Sequence, residues 1–342
     1  MQYLLKKLLQ RTETYVFLII LALTFLIQIR SGQFYTPNNI ADLMSAMIVP
    51  GIFAVGAFLI LLSGGIDVSF PALASLSAYA TTKILLMQNY QGSIWLPLLI
   101  AIIIGAVLGA FNGFFIGYMN LPALIVTLGS ASVFKGIMQG TLNSKQLTII
   151  PVGMKEFGTT ALFTATNAQN GLTSRVSIAF LILLAVVIIY FLILRFTMFG
   201  RGVYAIGGNE SAAYNSGFNV KRTKFLLYVF VGITASVAGV IRVCMMQQCH
   251  PTNMLGMEMN IIAGVVLGGV AITGGIGTLT GCMLGTFLII LVENSLILIG
   301  VPTVWKNVFI GTLIIIGTSI SAYRFGHVAK SVRKTNKLKE VS

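Results

Sequence analysis

The sequence predicts an all-α integral membrane protein of about ten transmembrane helices, with both termini cytoplasmic. Composition is the first reason. Of the 342 residues, 56% are hydrophobic and only 9% charged, with a mean hydropathy of +0.93. Soluble domains carry roughly 25% charged residues, and a soluble chain of this length cannot hide so much apolar surface. Length is the second reason. Apolar runs of about 20 residues recur along the chain, as membrane-crossing helices require, whereas barrel strands would alternate over about 10 residues. Charge placement, which must agree with the number of crossings, is the third.

Lys6, Lys7 and Arg11 precede an apolar run from Tyr15 to Ile29. No small-residue cleavage pattern follows, so the run is expected to remain as a first helix rather than be removed as a signal peptide. The expected spans are 15–31, 43–62, 70–87, 96–117, 122–142, 176–194, 225–246, 258–273, 278–299 and 303–323. Residues 1–14, 195–224 and 324–342 together hold 14 of the 22 Lys and Arg residues. Six expected spans separate the first segment from the second, and four separate the second from the third. Even numbers put all three on one side, and the positive-inside rule makes that side cytoplasmic. The net charge of +14 is thereby a topology signal, and no nucleic-acid partner is expected. One transmembrane domain over 1–342 leaves an external loop at 143–175, a cytoplasmic loop at 195–224 and a basic cytoplasmic tail at 324–342. The polar 143–175 loop is expected to carry one or two short elements.

Gly105, Gly109, Gly113 and Gly117 recur every fourth residue in the fourth span, so they share a face on which another helix backbone can approach closely. Gly277, Gly281 and Gly285 are expected to do the same in the ninth span. Ser63–Gly64–Gly65–Ile66 and Thr273–Gly274–Gly275–Ile276 echo one another, each closing an apolar run at the inner side. Internal duplication is common in transporters, although four residues do not establish it.

The sequence offers no catalytic constellation. It has no Gly-x-x-x-x-Gly-Lys-Ser/Thr phosphate loop, and the glycines at 275, 277 and 281 lack a βαβ setting. Cys244, Cys249, Cys282, His250 and His327 make neither a disulfide framework nor a four-ligand metal set. No catalytic residue, metal ligand or cofactor of this chain is therefore expected.

Ionisable groups inside a membrane are costly and point to function. Asp67 lies where glycines interrupt an apolar run, before Ser69 and Pro71. Asp67 or Ser69 either caps the third span or stands on a transport path or its inner gate. Arg242, Glu258 and Glu293 fall toward the outer ends of their spans, where a carboxylate paired with Arg242 would be either a structural pair or an outer gate. Asn112, Asn294 and Ser295 are uncharged polar groups in apolar runs. Ser75, Ser77, Tyr79, Thr81 and Thr82 line the third span. Such residues serve as interhelical hydrogen bonds or as contacts to a neutral, hydroxyl-rich solute. Ser63, Asp67, Ser69, Asn112, Glu258, Glu293 and Asn294 are the candidates for path or gate.

Within 195–224, Asn209 suits a helix N-cap, Glu210 complements the helix dipole, and Gly217 suits a C-terminal stop. A two-turn helix is expected there, lying in the cytoplasm as a docking knob.

At this loop the sequence resembles the permease subunits of bacterial ATP-binding-cassette sugar importers of the ribose type. Gly200, Arg201, Ala205, Gly207, Gly208, Asn209, Ala212, Ala213 and Gly217 match that family's coupling-helix pattern. Ser63–Ser69, and Glu258, Ala263, Gly268–Gly269 and Gly274–Gly277, match two further blocks, and Asn294 stands where the family has Asn-Gly. The resemblance covers about residues 40–323 in register. Phe70–Pro71–Ala72 and Ser295 depart from the pattern near the presumed path.

The resemblance implies a non-catalytic inner-membrane subunit of an importer for a monosaccharide or similar polyhydroxy solute. Gly207, Gly208, Asn209, Glu210, Ala212, Ala213 and Gly217 would couple it to a separate cytoplasmic ATPase, which binds ATP and magnesium. A second permease chain, identical or related, would complete the pore. A periplasmic or lipid-anchored binding protein would deliver the solute. The rival readings are a secondary carrier or channel, which leaves the capped helix without a purpose, and a membrane enzyme, which lacks its catalytic cluster.

Overall fold

The computed structural model describes residues 12–142, 145–167, 171–312 and 315. Its elements are α1 (Thr12–Ser31), α2 (Pro37–Leu62), α3 (Phe70–Met87), α4 (Trp95–Gly113), α5 (Ala123–Gly140), α6 (Val152–Thr159), β1 (Ala161–Thr166), β2 (Thr173–Ser177), α7 (Ala179–Phe196), α8 (Met198–Gly208), α9 (Glu210–Asn215), α10 (Val220–Met246), α11 (Met257–Leu267) and α12 (Leu279–Leu298). Among the described residues, eight helices are long and apolar enough to cross a membrane: α1 to α5, α7, α10 and α12. The basic residues at 6, 7 and 11 and the basic tail 324–342 lie outside the described residues. About half of the tenth expected span (313, 314 and 316–323) also lies outside them, and 306–312 of that span is helical.

Two helices form the centre. α2 buries nearly every residue from Met47 to Leu62, and α10 packs against α2, α3 and α4. The α4 glycines explain the tightest of these seams. A Cβ on Gly109 would lie 2.4 Å from the Tyr228 carbonyl oxygen, and one on Gly105 would lie 2.5 Å from that of Gly232. Gly113 and Gly117 meet Phe225 and Lys221 in the same way. Lipid tails are as apolar as leucine, so close backbone packing rather than a hydrophobic drive holds these helices together. α4 then runs into a π-helical turn, Phe114–Tyr118. Outward-facing positions of α1 such as Phe17, Phe25 and Ile29 are exposed, as a lipid-facing helix requires.

Two expectations about helices change. The span expected at 258–273 is helical only to Leu267, because Gly269 (φ +91°), Gly274 (φ +90°) and Gly275 (φ +74°) take left-handed conformations that end it. At about 1.5 Å per residue, α11 is long enough for roughly half of the hydrocarbon core, and residues 268–278 turn the chain back into α12, with Ala271 N donating to Ile276 O (2.9 Å). Gly277 (φ +154°) lies in that turn, not in the helix where it was expected. Gly281 and Gly285 do pack backbone to backbone, against Gly268 and Gly264 of the α11 side. The 143–175 segment carries α6 and an antiparallel β1–β2 hairpin, one element more than expected.

Candidate functional site

The loop between α7 and α10 is built by three side-chain caps. Thr197 Oγ1 accepts from Gly200 N (3.1 Å) and starts α8. Asn209, in extended conformation, accepts from Ala212 N (2.9 Å) and starts α9. Asn219 Oδ1 accepts from Arg222 N (3.0 Å) and starts α10. Gly217 (φ +87°) turns the chain between α9 and α10. The expected capped helix is therefore present, preceded by a second helix, α8, that the sequence reading left as loop.

Ala213 is buried with Ile206 and Val220 in a small core of its own, which locks α9 onto α8 and α10. Ala213 is therefore a packing residue and not a surface contact. Glu210 pairs with Lys224 at 2.8 Å. Tyr214, which sequence reasoning did not single out, is 70% exposed. It borders an open groove of about 1080 Å³ that reaches Gly117, Tyr118 and Asn120. Its signal was available: a large aromatic on the free face of a short polar helix.

Immediately above α9, three glycine pairs from distant parts of the chain meet. A Cβ on Gly207 would lie 1.9 Å from the Leu62 carbonyl oxygen and 2.5 Å from Gly275 N. One on Gly274 would lie 2.6 Å from Gly64 N, and one on Gly275 would lie 2.7 Å from Gly208 Cα. Gly275 N donates to Leu62 O (2.8 Å), and Tyr204 Oη donates to Gly277 O (3.1 Å). The end of α8, the α2–α3 break and the α11–α12 break thus form one backbone joint. The two echoing Gly-Gly-Ile segments touch each other in space, with Gly207–Gly208 packed against both.

The α2–α3 break leads from this joint to Asp67. Asp67 Oδ1 accepts from Ser69 N (2.6 Å) and Ser69 Oγ (2.7 Å). Asn112 Nδ2 donates to Ser69 Oγ (2.9 Å), while Asn112 Oδ1 is buried without a partner among the described residues. Thr127 Oγ1 donates to Ile66 O (3.4 Å), and Tyr228 borders Gly65. α4, α5 and α10 therefore all clamp this break. The structure brings Asp67, Ser69 and Asn112 together. Ser69 occupies the N-cap position of α3 without a side-chain cap bond, whereas the Asp67 carboxylate accepts from the Ser69 backbone N–H where the helix begins. Ser63 is held aside, its hydroxyl donating to Ile60 O (2.8 Å).

The remaining candidates lie toward the opposite end. Glu293 Oε1 accepts from Asn260 Nδ2 (3.2 Å), and its Oε2 is 3.2 Å from Lys306 Nζ. Glu258 Oε2 accepts from Gly256 N (2.9 Å). Asn294 Nδ2 and Ser295 Oγ are buried without partners among the described residues. The expected pairing of Arg242 with a carboxylate does not occur among the described residues. Arg242 Nε instead donates to Asn253 Oδ1 (2.8 Å), because the α10–α11 connection brings an amide to it while Lys306 neutralises Glu293.

The family described as "branched-chain amino acid transport system / permease component" matches residues 39–317. The ribose import permease protein RbsC of Bacillus subtilis is 31% identical over 306 residues, covering 88% of this chain and 89% of its own. The RbsC protein of Escherichia coli is 28% identical over 301 residues, with 88% and 91% covered. The autoinducer 2 import system permease protein LsrC of Klebsiella pneumoniae is 30% identical over 316 residues, with 92% and 88% covered. No solved structure matches the chain.

Proposed function

Since the chain belongs to this permease family of ABC importers and is a multi-pass inner-membrane protein, we propose that it is the pore-forming subunit of an ATP-driven importer for a monosaccharide or similar small polyhydroxy solute. ATP hydrolysis then belongs to a separate ATPase, which binds ATP and magnesium, and this chain holds no cofactor. The family's own description names branched-chain amino acids. The sugar-type solute rests on the relatives that align over nearly their full length.

The observation that carries the mechanism is the glycine joint. The positive-inside rule puts the end bearing Arg201, Lys221, Arg222 and Lys224 in the cytoplasm. There α9 presents Tyr214 and Glu210 to the ATPase, with Asn209 and Gly217 fixing its ends. When the ATPases close on ATP, a push on α9 is borne by α8, since the shared core leaves α9 no independent path. Gly207 then bears directly on Leu62 and Gly275. Backbone-to-backbone contact is stiff, because no rotamer can absorb the movement. Both helix breaks move, and Asp67 with its Ser69–Asn112 clamp moves with the first of them. In this reading the clamp is the inner gate. A second permease chain, identical or related, completes the pore. A binding protein docks on the opposite end, where α6 and the hairpin lie.

The test is purification of the tagged chain from its native membrane in mild detergent, with identification of what accompanies it. A stoichiometric ATPase that is lost on altering Glu210 and Tyr214 is expected. A chain that purifies alone and still moves D-ribose into vesicles without ATP would overturn the proposal in favour of a secondary carrier.

A further inference from the structure

At the end opposite α9, a cavity of about 300 Å³ lies among α2, α10, α11, α12 and Lys306. That volume is at the small end of small-molecule sites, about 300–1,000 Å³. Its wall mixes apolar surface (Ile261, Ile289 and Ile290) with a small number of polar groups. Three of those groups are unusual.

The first is Arg242. It is half-buried within α10, yet among the described residues it has no carboxylate partner, only the Asn253 amide oxygen. A guanidinium has five N–H donors in a fixed fork, so donors remain for another acceptor. A partly buried, unpaired cation inside a membrane helix is costly unless something else meets it. The second is Pro50, inside α2 and on the cavity wall. It has no N–H, so the carbonyl of Ala46, four residues back and on the same wall, lacks its helical donor. Within a membrane such a carbonyl is tolerated where a cavity supplies a partner. The third is Glu293, whose oxygens are held by Asn260 and Lys306 with acceptor capacity left over.

We propose that this cavity is an outer solute station of the translocation path: the Arg242 fork donates to adjacent hydroxyl oxygens of a small polyhydroxy solute, while the Ala46 carbonyl and Glu293 accept from its other hydroxyls. Ile261, Ile289 and Ile290 face the C–H side of the ring. A zwitterionic amino acid fits this arrangement less well, because Lys306 already neutralises the Glu293 charge that its ammonium group would need. The inference rests on the importer reading above and adds to it the station and the chemistry that recognises the solute.

The experiment uses the complex purified through this chain and reconstituted in vesicles with the ATPase and binding protein that accompany it. Ala46→Cys supplies a thiol on the cavity wall, and the three native thiols are buried, so a small hydrophilic thiol reagent added from outside reads that position. D-ribose is expected to slow the labelling, and L-leucine is expected to leave it unchanged. Adding Arg242→Lys, which keeps the charge and removes the fork, should raise the ribose concentration needed by about ten-fold or more, the loss typical of one charged hydrogen bond. In the chain with Ala46 retained, Arg242→Lys and Glu293→Gln should each lower the ribose moved per ATP hydrolysed, with the ATPase still co-purifying. Unchanged labelling in ribose by a complex that does transport ribose would overturn the station and leave the importer reading standing. Protection by L-leucine, with no ribose transport by the unaltered complex, would overturn the sugar reading and the station with it.

Discussion

Gly207 and Gly208 are chemically identical neighbours with opposite prospects. A methyl group on Gly207 meets the Leu62 carbonyl oxygen at 1.9 Å, and that obstacle is backbone, whereas one on Gly208 meets nothing within 4 Å. Gly207→Ala is therefore expected to uncouple the transporter. ATP hydrolysis should lose most of its stimulation by the solute-loaded binding protein, and transport should fall by more than about ten-fold, equivalent to roughly 1.4 kcal/mol or more. Gly208→Ala should behave as wild type. Equal behaviour of the two variants in a reconstituted ATPase assay would remove the joint from the mechanism.

Asp67 separates charge from structure in the same manner. Asp67→Ala leaves the Ser69 N–H and hydroxyl without their acceptor, a cost of about 1–3 kcal/mol for a buried group. A lower thermal midpoint and lower uptake are expected. Asp67→Asn keeps an acceptor oxygen and should restore most of the stability but not the transport. Full uptake by the Asn variant would make Asp67 a structural residue only. Burial pushes the Cys249 thiol up to about 12, and Cys244 and Cys282 are buried too. The folded protein should resist maleimide at neutral pH and react only when denatured.

Among the elements, α9 is the least self-sufficient. Six residues are far too short to be helical alone, so its form depends on the Asn209 cap and on the core of Ile206, Ala213 and Val220. Asn209→Ala removes the cap, which typically costs about 1 kcal/mol. Weaker retention of the ATPase during purification is expected, with membrane insertion unaffected. Tyr214→Ala should weaken that retention without lowering thermal stability, since the ring is mostly exposed and contributes little to the fold. Glu210 is about half exposed in its pair with Lys224, where water screens the attraction, so a defect in Glu210→Gln with unchanged thermal stability would be a docking defect.

Across the whole molecule, the α4–α10 seam fixes how the two halves of the chain sit against each other. Gly109→Ala places a methyl group 2.4 Å from the Tyr228 carbonyl oxygen and should force the helices apart. Gly129→Ala in α5 meets nothing within 4 Å and should be neutral or mildly stabilising, because alanine favours the helix by about 1 kcal/mol over glycine. Thermal unfolding of the detergent-solubilised complex compares the two. Sidedness is a property of the same scale. A cysteine at Ser211 should react only with reagent reaching the cytoplasmic face, and one at Thr159 only with reagent outside, since both positions are exposed at opposite ends. Reaction of both from one side would overturn the topology.

The sequence by itself determined the class of the protein. Membrane helices are local objects whose length and apolarity follow from the thickness of the bilayer, so the bounds of α3 were legible to the residue. Caps are local too, and Asn209, Glu210 and Gly217 announced α9 before any neighbour was known. The four α4 glycines announced a close approach, though not that α10 was the partner. What only the tertiary structure decided depends on residues far apart in the chain. Nothing local links Gly64, Gly207 and Gly274, because glycine has no side chain through which to advertise a contact. The partner of Arg242 was settled by which group the α10–α11 connection carried to it and by Lys306 having reached Glu293 first. Helix end points and charge balance are written along the chain. Backbone contacts and the choice among competing partners arise only when distant segments meet.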